Sequence, residues 1–457
     1  MAFAHLDRRR LIGAGFITAT AAGVSTSAVA QARPASGFDL ALQAGVRPGS
    51  PDDQSAALQK AIDQAAAARV PLALPPGDYR AADLKLPSGA QLVGIRGASR
   101  LVLARANRSL LSASLADNVT LTGLTLDGGR QPLPARRGLV HGETARGLRI
   151  ADCTIRNAGG TAVMLIGCDG DIAGNEILDS HDVALMSNDA QGLTIARNVI
   201  RNAGDNGILV WRGKAGDDGT LVIDNRIEGI SNRSGGSGQY GNAVNVFRAA
   251  NVIVRGNRIR NCAFTAVRGN AADNMQASGN TITGMGEVAI YAEFGFSGAL
   301  MSGNVIDDAA LGIVATNFNE GGRLAVISGN IIRNLRPRRP AGTDPTDGAG
   351  IGIAVEADAA VSGNVVENAP SVGIHLGFGR YLRDISATGN VVRNARIGIS
   401  VSVAAGAGAA VIADNLISGA KAGALVGFDH SRAVTGDLLK DGVAAYPHLT
   451  VNGNRSQ

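Results

Sequence analysis

Leu193-Thr194-Ile195-Ala196-Arg197-Asn198-Val199-Ile200, followed after a short polar turn by Gly207-Ile208-Leu209-Val210-Trp211, is one unit of a repeat that runs through most of the chain. Apolar and polar side chains alternate in both segments, the period of a strand with one buried face. The unit recurs around Asn175, Asn198, Asn225, Asn257, Asn280, Asn304, Asn330, Asn364, Asn390 and Asn415, at spacings of 23 to 34 residues. Such a period marks a solenoid: one coil cannot bury its apolar face alone, and stacking supplies a continuous core. The expected class is all-β, with parallel strands ~4.8 Å apart along the axis. The repeated asparagine then stacks on itself at a bend. Its amide can bond to the asparagines above and below and so satisfy buried turn polar groups. Cys153 occupies the asparagine slot of an earlier coil and reads as buried packing.

Composition agrees with this class. Hydrophobic residues make up 45% of the 457, enough for a lengthwise core, and 62 glycines suit frequent tight bends. The three cysteines, Cys153, Cys168 and Cys262, have no metal-site spacing, and an odd number gives no disulfide framework. The N-terminus reads as an export signal from Met1 to about Ala32. Arg8-Arg9-Arg10 opens an apolar, Ala/Gly-rich stretch, and small residues around Ala28-Val29-Ala30 offer cleavage sites. The arginines resemble a twin-arginine signal, with Asp7 where Ser or Thr is usual, so a periplasmic or secreted location is expected. The segment is too short for a stable membrane anchor, and no other stretch is apolar enough for a membrane helix. Removing the signal takes +2 from the formal +5, and the small remainder argues against nucleic acid as the main partner. The one basic run, Arg333, Arg336, Arg338 and Arg339, is broken by prolines and reads as a solvated loop.

Residues 33–50 read as a linker. After Pro51-Asp52-Asp53, the residues Leu58, Ala61, Ile62 and Ala65 share one helical face, as expected of a helix capping the open core. The coils then run to about residue 430, and 431–457 form the C-terminal end. The Asp52-Asp53 to Ile62 segment, the Pro75-Pro76-Gly77-Asp78-Tyr79 turn and the Asn-anchored coils together resemble pectate-lyase-like right-handed parallel β-helix proteins, over about residues 38 to 430. With the arginine signal added, the chain resembles twin-arginine-exported β-helical repeat proteins. The resemblance implies a right-handed solenoid. It also implies an activity drawn from polysaccharide lyases, polyuronate epimerases and glycoside hydrolases, although the matching motifs are all scaffold.

Outward positions on the second strand of each coil form two columns. The first reads Met164, Ala184, Leu209, Asn245, Arg268, Tyr291, Val314, Ala354, His375, Ser400. The second reads Ile166, Met186, Trp211, Phe247, Asn270, Glu293, Thr316, Glu356, Gly377, Ser402. The middle coils bring Trp211, Phe247, Asn245, Asn270, Arg268, Tyr291 and Glu293 together. Sugars bind such faces, rings stacking on aromatics and hydroxyls meeting polar groups. The expected partner is a polysaccharide, and Arg268 makes an acidic one fit. Two inserts, Ser231 to Tyr240 and Leu335 to Ala349, stand on the same side, where solenoids build binding faces.

Three functions remain open. In the first, β-elimination or epimerisation of a uronate, Tyr291 serves as acid or base, Arg268 neutralises the substrate carboxylate, and Asn245 and Asn270 donate hydrogen bonds. In the second, glycoside hydrolysis, Glu293 and Glu356 stand two coils apart, ~9.6 Å by strand spacing. The third is a non-catalytic carbohydrate-binding or envelope scaffold. His375, three coils beyond Tyr291, could instead work with Glu356. No cofactor is required; a Ca²⁺ ion could be held by His181-Asp182 with Asp205-Asn206 one coil on, although turns are rich in such residues anyway.

Overall fold

A computed structural model describes residues 37–343 and 348–457; the export segment and residues 33–36 lie outside them. The chain folds as a right-handed parallel β-solenoid. Each coil holds three strands, as in Thr194–Ala196, Val199–Arg201 and Asn206–Asp217, so the segment that reads as one strand through Asn198 is bent at that residue into two. The strands before the asparagine form a sheet of 15. The remaining 28 form the second and third faces, joined where single strands such as Thr281–Glu293 turn the corner unbroken. Strand pairing among the described residues is parallel except for the hairpin of Leu425–Asp429 with Arg432–Asp437 and the isolated bridge of Phe378 with Tyr381.

The asparagine ladder explains the bend. Asn198 Nδ2 donates to Asn225 Oδ1 at 3.0 Å and to the Ile172 carbonyl at 2.8 Å. Its backbone N–H donates to the same Asn225 oxygen at 2.9 Å. The pattern runs unbroken from Asn175 to Asn415 and ends on Asn454, 2.8 Å away. At the other end the Cys153 N–H donates to Asn175 Oδ1, so this cysteine is the first rung, and its thiol donates to the Ala151 carbonyl at 3.3 Å. All ten anchor asparagines are at most 1% exposed, and each would be destabilising there if any of these bonds were missing. Between the sheets runs one core, with Ile150, Ile172 and Ile195 stacked from one face against Ile155, Ile177 and Ile200 from the next.

The N-terminal end is closed by α1 (Gly37–Gln43) and α2 (Ser55–Ala68). The second buries Leu58, Ala61, Ile62 and Ala65, the face read from the sequence. The first falls inside the stretch expected to be a linker. At the other end, Leu449–Asn452 returns to the first sheet beside Ala410–Ala413, so the solenoid continues past residue 430. No helix among the described residues is long and apolar enough to cross a membrane.

Candidate functional site

The register of the third sheet brings the middle-coil residues into the expected columns. Leu209 pairs with Asn245, Asn245 with Arg268, and Arg268 with Tyr291; Trp211 pairs with Phe247, Phe247 with Asn270, and Asn270 with Glu293. One coil departs from the expected alignment. Met164 pairs with Met186, and Ile166 with Asn188, not with Ala184 and Met186. The inward residues of that coil are Leu185 and a fully buried Ser187, so matching on apolar character slips by two positions.

Arg268, Tyr291, Glu293 and Asn270 do converge, but as a roofed network. Arg268 grips Glu293 with two bonds, Nε to Oε1 at 2.7 Å and Nη2 to Oε2 at 2.8 Å. Its Nη1 donates to the Gly238 carbonyl at 2.8 Å and to Glu287 Oε2 at 3.3 Å. Asn270 donates to Glu293 Oε1 at 2.9 Å, and Thr265 to Glu287 Oε2 at 2.9 Å. Glu287 was not singled out from the sequence; it lies at the corner between the second and third faces, outside the two columns. Four of the five guanidinium N–H groups of Arg268 are therefore engaged within the chain. Burial opposes its charge, but Glu293 and then Glu287 outweigh burial and hold Arg268 above its ordinary value. The expectation that Arg268 stands free for a substrate carboxylate is thus corrected.

The described residues of both inserts form the roof. The first is pinned by Gly238, whose φ of +141° aims its carbonyl at Arg268, and by the Gln239 carbonyl, which accepts from Asn206 and Asn245 at 3.2 and 3.3 Å. Asn245 thus holds the insert, while its own carbonyl oxygen is buried without a partner. The second insert places Arg339 on Glu287. Arg333 and Arg336 pair with Asp307 and Asp308, each at 2.9 Å. The basic run is therefore largely paired, not a free solvated loop, and Arg339 is only 12% exposed. Tyr291 lies with its ring 5.3 Å from the Arg268 guanidinium. Burial, reinforced by Glu293, pushes its hydroxyl up to about 12, so it is protonated at neutral pH.

The remaining candidates lie apart. Glu356 accepts from the Phe318 N–H at 2.7 Å, and burial raises its pKa. His375 bonds to Ser400 at 2.6 Å and packs edge-on against Phe428; burial lowers its pKa to about 4. No hydrogen bond or ion pair joins either of them to the Arg268 network, or one to the other, among the described residues. Both oxygens of Asp205 accept from Ser234, at 2.8 Å each, so the aspartate anchors the first insert. His181 pairs with Asp182 at 2.6 Å. The described residues contain no cluster of three or more side chains fit to hold a metal ion.

What remains open to solvent is the corner where the third sheet turns into the first. Trp211 (38% exposed) and Phe247, inside the strands Asn206–Asp217 and Asn242–Ala250, have ring centroids 4.9 Å apart. Phe294 (42%), Phe318, Phe378 (40%) and Tyr381 follow in later coils of the same corner. Trp211 and Phe378 are six coils apart, ~29 Å by strand spacing. Arginines lie against these rings, Arg248 over Phe247 at 4.8 Å and Arg383 over Phe318 at 4.3 Å. Where the stripe begins, the corner opens into a hollow of about 610 Å³ lined by Asp189, Gln191, Arg212, Asp217 and Asp218. Asp218 Oδ2 is buried without a hydrogen-bond partner. Four of the aromatics were missed in the sequence because they sit in corner loops, beyond the strand alternation.

Comparison with known proteins follows the same lines. A family model described as a right-handed β-helix region matches residues 206–381. No match was found among curated protein sequences. Among solved structures, the N-terminal fragment of bacteriophage Phi29 gene product 12 superposes with a TM-score of 0.52 at 15% identity, covering 85% of this chain and 68% of that one. A PL6 alginate lyase in complex with a trisaccharide gives 0.50 at 14% identity, covering 90% and 94%. The A-module of the Azotobacter vinelandii mannuronan C-5 epimerase AlgE6 gives 0.43 at 14%, covering 91% and 98%. The chain has the right-handed parallel β-helix fold.

Proposed function

We propose that this is an exported protein that binds a polysaccharide along the corner from Trp211 to Tyr381. The observation that supports this reading is the aromatic stripe. A chain with only 4% aromatic residues leaves six of them half-buried or exposed in one line, where a sugar ring can stack on each. The hollow beside Trp211 adds hydrogen-bonding groups at one end. The fold is shared by an alginate lyase that has been seen with a trisaccharide, which fits the reading. Export rests on the N-terminal arginine signal. Affinity electrophoresis in gels containing bacterial and plant polysaccharides tests the proposal. Trp211→Ala and Phe318→Ala should each release the protein from the retarding polymer; unchanged retardation in both variants would refute the corner as the site.

A second reading, uronate lyase or epimerase activity, is favoured by the convergence of Arg268, Tyr291 and Glu293. In it the Glu293 carboxylate takes the proton next to the substrate carboxylate and the Tyr291 hydroxyl protonates the leaving oxygen or the opposite face. It requires both inserts to lift. Incubation with polyuronates distinguishes the outcomes: ultraviolet absorbance from an unsaturated product marks a lyase. New reducing ends without it mark a hydrolase using Glu293 and Glu356. Binding without either leaves a non-catalytic binder.

A further inference from the structure

Each second-sheet strand follows the asparagine bend and presents its first and third residues outward. In the coil of Asn225 these are Arg226 and Glu228; in the coil of Asn257 they are Arg258 and Arg260. The register pairs Arg226 with Arg258, and Arg201 with Glu228 and then Arg260. All four arginines are exposed and surround a hollow of about 130 Å³ floored by Ile227. Like charges directly opposite on adjacent strands repel each other, yet among the described residues none of the four forms an ion pair or side-chain hydrogen bond. Other arginines in the third-residue column of this face behave differently. Arg156 pairs with Asp127 at 2.8 Å, Arg333 with Asp307 at 2.9 Å, and Arg393 with Glu367 at 3.5 Å, each across one coil step. The one carboxylate within the cluster, Glu228, is flanked by Arg201 and Arg260 and leaves an excess of three positive charges.

We infer that this patch is a binding site for the anionic groups of an acidic polysaccharide, separate from the aromatic corner. Two guanidinium forks ~4.8 Å apart on adjacent strands can take carboxylates or sulfates carried at intervals along one polymer. Arg201 and Arg260, ~9.6 Å apart, offer a second row beside the first. A glycan is favoured over nucleic acid because the patch has no aromatic side chain on which a base could stack. The inference stands on charge geometry and does not depend on the aromatic corner.

The test is a titration of the full chain with polygalacturonate, heparin and neutral dextran at low and moderate salt, comparing wild type, the double variant Arg226→Gln/Arg258→Gln, and Trp211→Ala. The double variant should keep its melting temperature, bind the two acidic polymers about tenfold more weakly and show a flatter salt dependence. Trp211→Ala should retain polyanion binding through the patch. Unchanged polyanion affinity in a folded double variant would overturn the inference, as would a wild type that does not bind either acidic polymer. Single-stranded DNA bound as tightly as polygalacturonate, and weakened equally by the double substitution, would overturn the assignment to a glycan. Failure of the aromatic-corner reading would show only in the Trp211→Ala and neutral-polymer arms.

Discussion

Arg258 and Arg268 are ten residues apart on one coil, yet they have opposite surroundings. Arg268 faces out from the third sheet under two inserts and is met by Glu293, Glu287 and a backbone carbonyl. Arg258 faces out from the second sheet into solvent and is met by another arginine. Burial favours pairing, because an unpaired charge out of water is costly; an exposed strand face imposes no such demand. On this molecule a polar group with all its bonds made inside is holding the structure together. A polar group left without partners at the surface is where a ligand can act.

The largest expected effect tests the buried side. Glu293→Ala removes the bidentate partner of Arg268 and should lower stability by about 3–5 kcal/mol, read by urea denaturation. A loss below about 1 kcal/mol would mean the network is solvated. Next comes a half-buried group. His375 is held neutral, with its pKa depressed from 6.5 to about 4. A base depressed in the folded state leaves stability intact above pH 6.5, and stability falls as acid protonates the unfolded chain preferentially. Between about pH 6.5 and 4 the loss should approach 3 kcal/mol, and His375→Gln should flatten that slope. An unaltered slope in the variant would assign the acid sensitivity elsewhere.

Asn280→Ala should cost about 2–3 kcal/mol, because it strips Asn257 and the Val254 carbonyl, both one coil earlier, of buried bonds. Smallest is the exposed side of the comparison: Arg226→Gln should change stability by less than about 0.5 kcal/mol, with any change toward greater stability as repulsion with Arg258 is relieved. A clear destabilisation would show that the arginine has a structural partner.

The ladder and the third-sheet columns were legible from sequence because a buried asparagine at a fixed period, with apolar residues alternating around it, fits few folds besides a stacked solenoid. Cys153 was legible as a rung for the same reason. Three things were not. The bend at each asparagine splits one apparent strand into two, which hid the second face and with it Arg226, Arg258 and Arg260. The engagement of Arg268 depends on Gly238, Glu287 and Arg339, whose approach is set by loop paths and not by any period. Phe294, Phe318, Phe378 and Tyr381 share a corner only because coils of different length return to the same register, which spacing in the sequence does not show.

Trp211 is the single tryptophan of the chain, half-exposed at the corner proposed to carry sugar. Its fluorescence therefore reports on that corner alone. Polysaccharides that retard the protein in gels should be titrated against intrinsic fluorescence while heat of binding is recorded on the same samples. The expected result is a saturable blue shift whose midpoint matches the calorimetric one. Saturable heat with no change in tryptophan emission would place the polysaccharide elsewhere and contradict the corner as its binding site.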